Sequence, residues 1–254
     1  MFAIDQTGKL KWKTQYGPGF SKFPPSTRTT PTVDGENLYV MSSMGKVGCF
    51  KAADGKEKWS VDTAAKFGGK NIRWGISESI LIVGDMAICT PGGPDATMVA
   101  LNKLTGETIW RTKGLGEISA YCSPILIKDA KKNLVVTMTE SHAIGVSSIS
   151  GKVLWKFPYR GQCQAHAVSP TYSDGQIFIT SGYNAGGVML TLADDGKSVK
   201  VAWKDEGFDT HHGGVILVDG YVYGTTWKGN GDGNWICADW KKGKVQFDTK
   251  WECK

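Results

Sequence analysis

Short apolar runs broken by Gly and Asp recur along the whole chain. NLYVM at 37–41, KVGCF at 46–50, NLVVTM at 133–138 and QIFIT at 176–180 are examples, each followed within a few residues by a polar turn. Runs of this length, rich in β-branched and aromatic residues, predict strands rather than helices. In the segment from Thr30 to Asp62, TPTVDG, NLYVMSS, KVGCFKA and KEKWSVD read as four consecutive strands, A to D. Between Gly213 and Lys250, GGVILVDG, YVYGTTW, NWICADW and KVQFDTK read the same way. Asp-Gly pairs at Asp34-Gly35, Asp54-Gly55, Asp174-Gly175 and Asp219-Gly220 supply the positive φ that tight hairpins need.

A second pattern is laid over the strands. Gly8 precedes Trp12, Gly55 precedes Trp59, Gly106 precedes Trp110 and Gly151 precedes Trp155, always by four positions. A fifth copy, with Gly196 and Trp203, is three residues longer, and a sixth has Gly243 with Phe247 in the Trp position. The steps between successive Trp residues are 47, 51, 45 and 48. A period near 48 accommodates four short strands and their turns, which is one propeller blade. Trp12, Trp59, Trp110, Trp155 and Trp203 are therefore expected to be largely buried in equivalent structural places. The whole is expected to be all-β, with almost no helix and about five and a half four-stranded antiparallel blades.

Composition supports this and narrows the function. Gly accounts for 33 of 254 residues and Trp for 10, which suits tight turns and large flat packing surfaces rather than helices. The net charge of +6 comes from Lys scattered over turns, with no dense basic tract, so no nucleic-acid partner is expected. No apolar run approaches the roughly 20 residues of a transmembrane span, and MFAIDQTGKLKW has neither the basic start nor the apolar region of a signal peptide. The six cysteines form no C-x-x-C pair and none are adjacent, so several are expected to be buried free thiols and no metal site is assigned.

The pattern A-x-D-x-x-T-G-x-x-x-W resembles the repeat of the pyrroloquinoline quinone (PQQ)-like β-propellers, a family that includes quinoprotein alcohol dehydrogenases and BamB-type lipoproteins of outer-membrane assembly. The segments FGGKNIRWGISES, AYCSPI and THHGGVILVDGYVYG are similar to those of uncharacterised bacterial PQQ-binding-like β-propeller repeat proteins. The resemblance implies that the repeated Trp residues are a tryptophan docking motif clasping blades together, and that the chain acts in the periplasm or outside the cell. It implies two functions. One is a scaffold binding a small-molecule ligand or a protein partner. The other is a PQQ-dependent alcohol or sugar dehydrogenase, or a remnant of one, with PQQ and Ca²⁺ as cofactor. Glu78 and Asn71 could then approach the cation and Trp74 the quinone, but the adjacent cysteines of such enzymes are missing. Eight-bladed relatives would need more residues than 254, so the chain is expected to be an incomplete arc: one domain, 1–254, truncated at both ends.

In a propeller the A strands line the central channel, and the residues just before them surround one mouth. Arg28, Arg73, Trp74, Glu78, Tyr121, His166, His211 and His212 occupy those positions and form the candidate ligand site. The same residues could instead serve only to satisfy buried backbone around a narrow pore. Because neighbours in a strand point to opposite faces, His211 and His212 are not expected both to bind one metal if the strand has already begun there. No catalytic residue is assigned.

Overall fold

The computed structural model describes residues 1–22, 25, 27–163, 165–229 and 232–250. Cys253, and Gly231 of the GDGN turn, lie outside the described residues. The chain divides into two compact units, residues 1–119 with 150–152, and 120–149 with 153–254.

In the first unit β1 (Phe2–Ile4) pairs with β2 (Leu10–Lys13). A four-stranded antiparallel meander follows: β3 (Thr32–Asp34), β4 (Asn37–Met41), β5 (Lys46–Lys51) and β6 (Glu57–Asp62). A second consists of β7 (Leu81–Val83), β8 (Met86–Cys89), β9 (Val99–Asn102) and β10 (Thr108–Arg111). Between the two meanders lies α1 (Thr63–Phe67), one short turn of helix capped by the Asp62 carboxylate at its start and by Gly68, at φ 66°, at its end.

The second unit holds three more meanders. They are β11 (Ile125–Lys128) to β12 (Asn133–Met138), β13 (His142–Ser147) and β14 (Val153–Pro158); β15 (Thr171–Ser173) to β16 (Gln176–Ser181), β17 (Gly186–Leu192) and β18 (Val199–Asp205); and β19 (Ile216–Val218) to β20 (Tyr221–Thr225), β21 (Asn234–Asp239) and β22 (Val245–Lys250). The strands read as A to D in the sequence are these strands. Asp174-Gly175 and Asp219-Gly220 both close two-residue hairpins with positive φ at both positions, the primed turn geometry.

The B and C strands of each sheet carry the core. Leu134, Val136 and Ala143 pack with Ile177, Ile179 and Leu190, and Phe178 and Met189 pack with Val222, Ile236 and Ala238. Alternate residues of β16 meet a neighbouring sheet on each face, so it is buried along its length rather than in alternation.

One feature of the repeat was not visible in the sequence. In every C–D pair, and in β1–β2, the register slips beside the motif aromatic: next to the pairs Ala3–Trp12, Cys49–Trp59, Ala100–Trp110, Gly145–Trp155, Met189–Trp203 and Cys237–Phe247. A bulge re-aims the side chain beside it. Four of the Trp residues reach the Gly of the following copy. A Cβ on Gly55 would stand 2.5 Å from the Trp12 ring, one on Gly106 2.7 Å from Trp59, one on Gly151 2.5 Å from Trp110 and one on Gly243 2.5 Å from Trp203. Trp12, Trp59 and Trp203 also donate their indole N–H to the carbonyls of Ala52, Lys103 and Trp240, each at 3.0 Å.

The expectation of equivalent burial needs two corrections. Trp110 and Trp155 are buried, but Trp12, Trp59 and Trp203 are half-buried. Trp155 departs from the pattern altogether. It covers Gly145 on its own sheet, and its buried Nε1 has no acceptor. Gly196, which should receive it, faces Leu134 and Lys132 instead. In the second, third and sixth copies the motif Gly N–H bonds the carbonyl four residues back; in the longer fifth copy Gly196 bonds Ala193, three back, and the turn is a different one.

Candidate functional site

Within the first unit the structure brings Arg28, Arg73 and Trp74 together. The Arg28 guanidinium donates to the Trp74 carbonyl and lies 5.8 Å from the Phe20 ring centre. Arg73 is exposed, with its guanidinium 4.9 Å from the centre of the Trp74 ring. Glu78 is held elsewhere. It is buried, one carboxylate oxygen accepts the Thr90 N–H at 3.1 Å, and the other has no partner. Burial without a compensating charge pushes its pKa up to about 8, so it is a neutral acid at pH 7. Burial of Cys89 first, and then the nearby Glu78 once it ionises, hold the Cys89 thiol far above its ordinary value.

This bears on Ca²⁺ and PQQ. Asn71 spends its amide on Ser43 O and Met44 Sδ. Among the described residues no three His, Cys, Asp or Glu side chains gather as a metal site, and Cys49, Cys89, Cys122, Cys163 and Cys237 are free thiols. Glu78 belongs to no such group.

Within the second unit the remaining four residues fall into two pairs. The Tyr121 N–H donates to the His166 carbonyl at 3.1 Å. The His166 ring is fully buried 5.1 Å from that of Tyr159, and burial, only partly offset by the Glu140 backbone, pulls its pKa down to about 4. Tyr159 in turn donates its hydroxyl to Gly186 O at 2.5 Å. His166 is thus a neutral packing element.

His211 and His212 form the second pair, and the strand that would oppose their side chains has not begun. Strand β19 begins only at Ile216, so both residues sit in the preceding loop, and their ring centres lie 3.6 Å apart. His211 is 6% exposed, its Nδ1 has no partner, and burial first, then the neighbouring His212, draws its pKa down to about 4. Tyr183 backs this pair, with ring centres 4.6 Å from His211 and 4.6 Å from Trp227.

The two histidines line a cavity of about 360 Å³ that the sequence did not mark. Its other walls come from residues 225–229 at the end of β20 and residues 232–235 at the start of β21, including Thr226, Trp227, Asp232 and Trp235. The hairpin is tied by Thr226 N–H to Asn234 O at 2.9 Å and Asn234 N–H to Thr226 Oγ1 at 2.8 Å. Gly233 lies so close to the Thr226 carbonyl that no side chain fits there. Behind it, Asp209 accepts the N–H groups of Asn184 and Gly186, both at 2.9 Å, and so holds Tyr183 and Asn184 at φ 63° and 59°. That turn was the missed signal: two non-glycine residues in left-handed conformation need such an anchor.

Comparisons with known proteins join this geometry to a family. The model of a family described as outer membrane protein assembly factor BamB matches residues 2–249. The outer membrane protein assembly factor BamB of Salmonella typhimurium is 32% identical over 110 residues, 42% of this chain but 26% of that protein, so the match spans about a quarter of its length. The crystal structure of BamB from Moraxella catarrhalis superposes with a TM-score of 0.63 at 15% identity, over 96% of this chain and 66% of that one. Quinohemoprotein alcohol dehydrogenase from Comamonas testosteroni superposes with a TM-score of 0.64 at 12% identity, over 98% and 58%. At such identities the structural likeness speaks for the propeller fold alone. The family match over nearly the whole sequence carries more: this chain belongs to the BamB family of PQQ-like β-propeller repeat proteins.

Proposed function

We propose that this chain is a non-catalytic binding scaffold of the cell envelope, working with protein partners in outer-membrane-protein assembly, with a small-ligand site beside His211 and His212. Its five sheets and the β1–β2 pair are read as successive blades of one propeller domain. The observation that carries the reading is the family match over residues 2–249: the resemblance to assembly factors extends through the sequence, whereas the resemblance to the dehydrogenases rests on fold. Large exposed apolar side chains support it. Phe2 is 69% exposed, Ile4 65%, Val33 63% and Ile216 63%, all on strands. Phe2 and Ile4 lie two apart on β1 and so share one exposed face, an apolar surface for a protein contact.

The alternative, a PQQ-dependent dehydrogenase, is the reading that the residues around Glu78 fit poorly. Photo-crosslinking from Ile4, Val33 and Ile216 in envelope extracts, followed by mass spectrometry, should recover outer-membrane assembly proteins. Reconstitution with PQQ and Ca²⁺ should give neither a bound-quinone spectrum nor dye reduction with alcohols or sugars. A bound-quinone spectrum with turnover, and no crosslinked assembly protein, would replace the scaffold with the enzyme.

A further inference from the structure

We propose that this chain associates head-to-tail with a second copy of itself, the sheet β19–β22 of one copy seating on the β1–β2 pair of the next. The proposal goes beyond the reading above and does not depend on it. It rests on a contact that the chain already makes between two of its own sheets.

That contact joins the sheets β15–β18 and β19–β22. The cross-strand row Thr171–Phe178–Met189–Trp203 runs over all four strands of the first. Phe178 and Met189 are fully buried with Val222, Ile236 and Ala238 of the second, and Trp203 lies over Gly243 in the β21–β22 turn. The equivalent row of β19–β22, joined by the same register, is Ile216–Tyr223–Cys237–Phe247. Here the row lies open at both ends. Ile216 and Phe247 are exposed, and so are Val218 and Trp235, which share the face by alternation. The face that covers a neighbour in one sheet is uncovered in the next.

The β1–β2 pair offers the counterpart. Its residues Ile4 and Leu10, beside the bulge, correspond to Ala238 and Val245, beside the same bulge in β21–β22. Ala238 and Val245 pack under Phe178 and Met189, whereas Ile4, Leu10 and Phe2 are exposed. Gly8 completes this face. A Cβ on Gly8 would meet no described atom within 4 Å, whereas Gly55, Gly106, Gly151 and Gly243 each lie under the Trp of a preceding copy. The chain therefore carries a motif glycine with no ring over it, and a motif ring, Phe247, left exposed.

The glycine and the ring also match in their hydrogen bonding. Trp12, Trp59 and Trp203 give their indole N–H to the carbonyl three residues before the glycine they cover, those of Ala52, Lys103 and Trp240. At Gly8 that carbonyl, of Asp5, already accepts the Gly8 N–H at 3.0 Å. The turn at Gly196 closes in the same way on Ala193, and Trp155 leaves it uncovered. A turn closed three residues back engages the carbonyl that an indole would use, so it suits a ring with no N–H to place. Phe247 is the motif aromatic of that kind.

A second copy is the occupant because each face finds on it the surface it lacks. The contact joins unlike faces, so every copy brings one of each. Association of this type continues until it closes into a ring or extends as a filament.

The test is sedimentation velocity of the purified 254-residue chain, with reductant present because Cys163 is an exposed thiol. The average mass should at least double between about 1 and 300 µM, as a Kd of about 100 µM or tighter requires. Phe247→Glu spoils one face and Ile4→Glu the other. Both side chains are exposed, so each variant should keep the parent melting temperature while the concentration needed for association rises about tenfold or more. Mixed in equal amounts, the two variants should form a one-to-one pair and nothing larger, through the face that each retains. If either does not fold, Ile216→Glu and Leu10→Glu test the same two faces. The proposal fails if the parent stays monomeric throughout, if either variant alone associates as the parent does, or if the mixture stays monomeric while the parent assembles. Envelope crosslinking is done in dilute extract, where both faces are open to other proteins. A monomeric chain that captures assembly proteins there would overturn the self-contact alone, and a self-associating chain that captures none would overturn the assembly role alone.

Discussion

Trp59 covers Gly106 so closely that a Cβ there would stand 2.7 Å from its ring, while its indole N–H donates to Lys103 O just beyond. Both halves of this contact involve the turn of the following repeat. Gly106 is therefore fixed twice: by a φ of 77°, which L-residues rarely adopt, and by the ring above it. Gly106→Ala should cost about 2–4 kcal/mol, combining backbone strain with a displaced indole. Gly196→Ala is the internal control. Gly196 has a similar φ of 70°, but a Cβ there meets only Leu134 and Lys132 side chains at 3.4 Å or more, ordinary contact. It should cost about 1 kcal/mol. Equal losses in chemical denaturation would mean that the ring contributes nothing beyond strain.

Much of the fold was legible because the repeat is written in residue types with few structural alternatives. Asp174-Gly175 and Asp219-Gly220 form the turns that their chemistry demands, and the strands read around Tyr39 and Tyr223 are the strands observed. The lapse of the motif at Trp155 was less legible. The fifth copy was visibly longer, but the change in turn at Gly196 depends on hydrogen-bond closure rather than residue type. The cavity was half legible. His211 and His212 stood out as unusual residues, whereas Trp227 and Trp235 lay inside strand-like text, and Tyr183 owes its place to an anchor 26 positions away, Asp209. Glu78 was marked by its place just before an A strand, and its full burial was not legible there.

Asp209 is that anchor. It is 4% exposed, and its two carboxylate oxygens take the N–H groups of Gly186 and Asn184. Asp209→Ala would leave both N–H groups buried and unpaired, at a cost of about 2–5 kcal/mol. It should also release Tyr183 from behind His211 and Trp227. The expected result is a lower melting temperature and a red-shifted tryptophan emission as Trp227 becomes solvated. A drop in stability with unchanged emission would separate the anchor from the aromatic cluster.

Arg73 tests whether the Trp74 cluster is structural. Its guanidinium stacks on Trp74 from an exposed position, where such contacts are worth about 0.5–1 kcal/mol. Arg73→Ala should shift the denaturation midpoint by no more than that. Arg28, half-buried and bonded to the Trp74 carbonyl, should matter more, and Arg28→Ala should exceed Arg73→Ala in the same measurement. The reverse order would place the structural weight on the exposed stack.

Stability should fall on both sides of an acidic optimum, because the buried titratable groups pull in opposite directions. Glu78 has its folded pKa raised to about 8, so the native state holds a proton that the unfolded chain releases near pH 4.5. Its contribution is fully present below about pH 4.5 and is lost as pH rises through 8. His166 and His211 have folded pKa values drawn down to about 4, so the unfolded chain binds their protons first, near pH 6.5. Their contribution is present above about pH 6.5 and is lost as pH falls through 4. The opposing slopes overlap between these limits. Glu78→Gln keeps the neutral shape and removes the titration. It should leave stability at pH 4 nearly unchanged and raise it at pH 8 by up to about 4 kcal/mol, less whatever water enters to solvate the ionised carboxylate. Urea denaturation of both proteins at the two pH values measures it. An equal effect at both would mean that Glu78 already ionises normally in the folded chain.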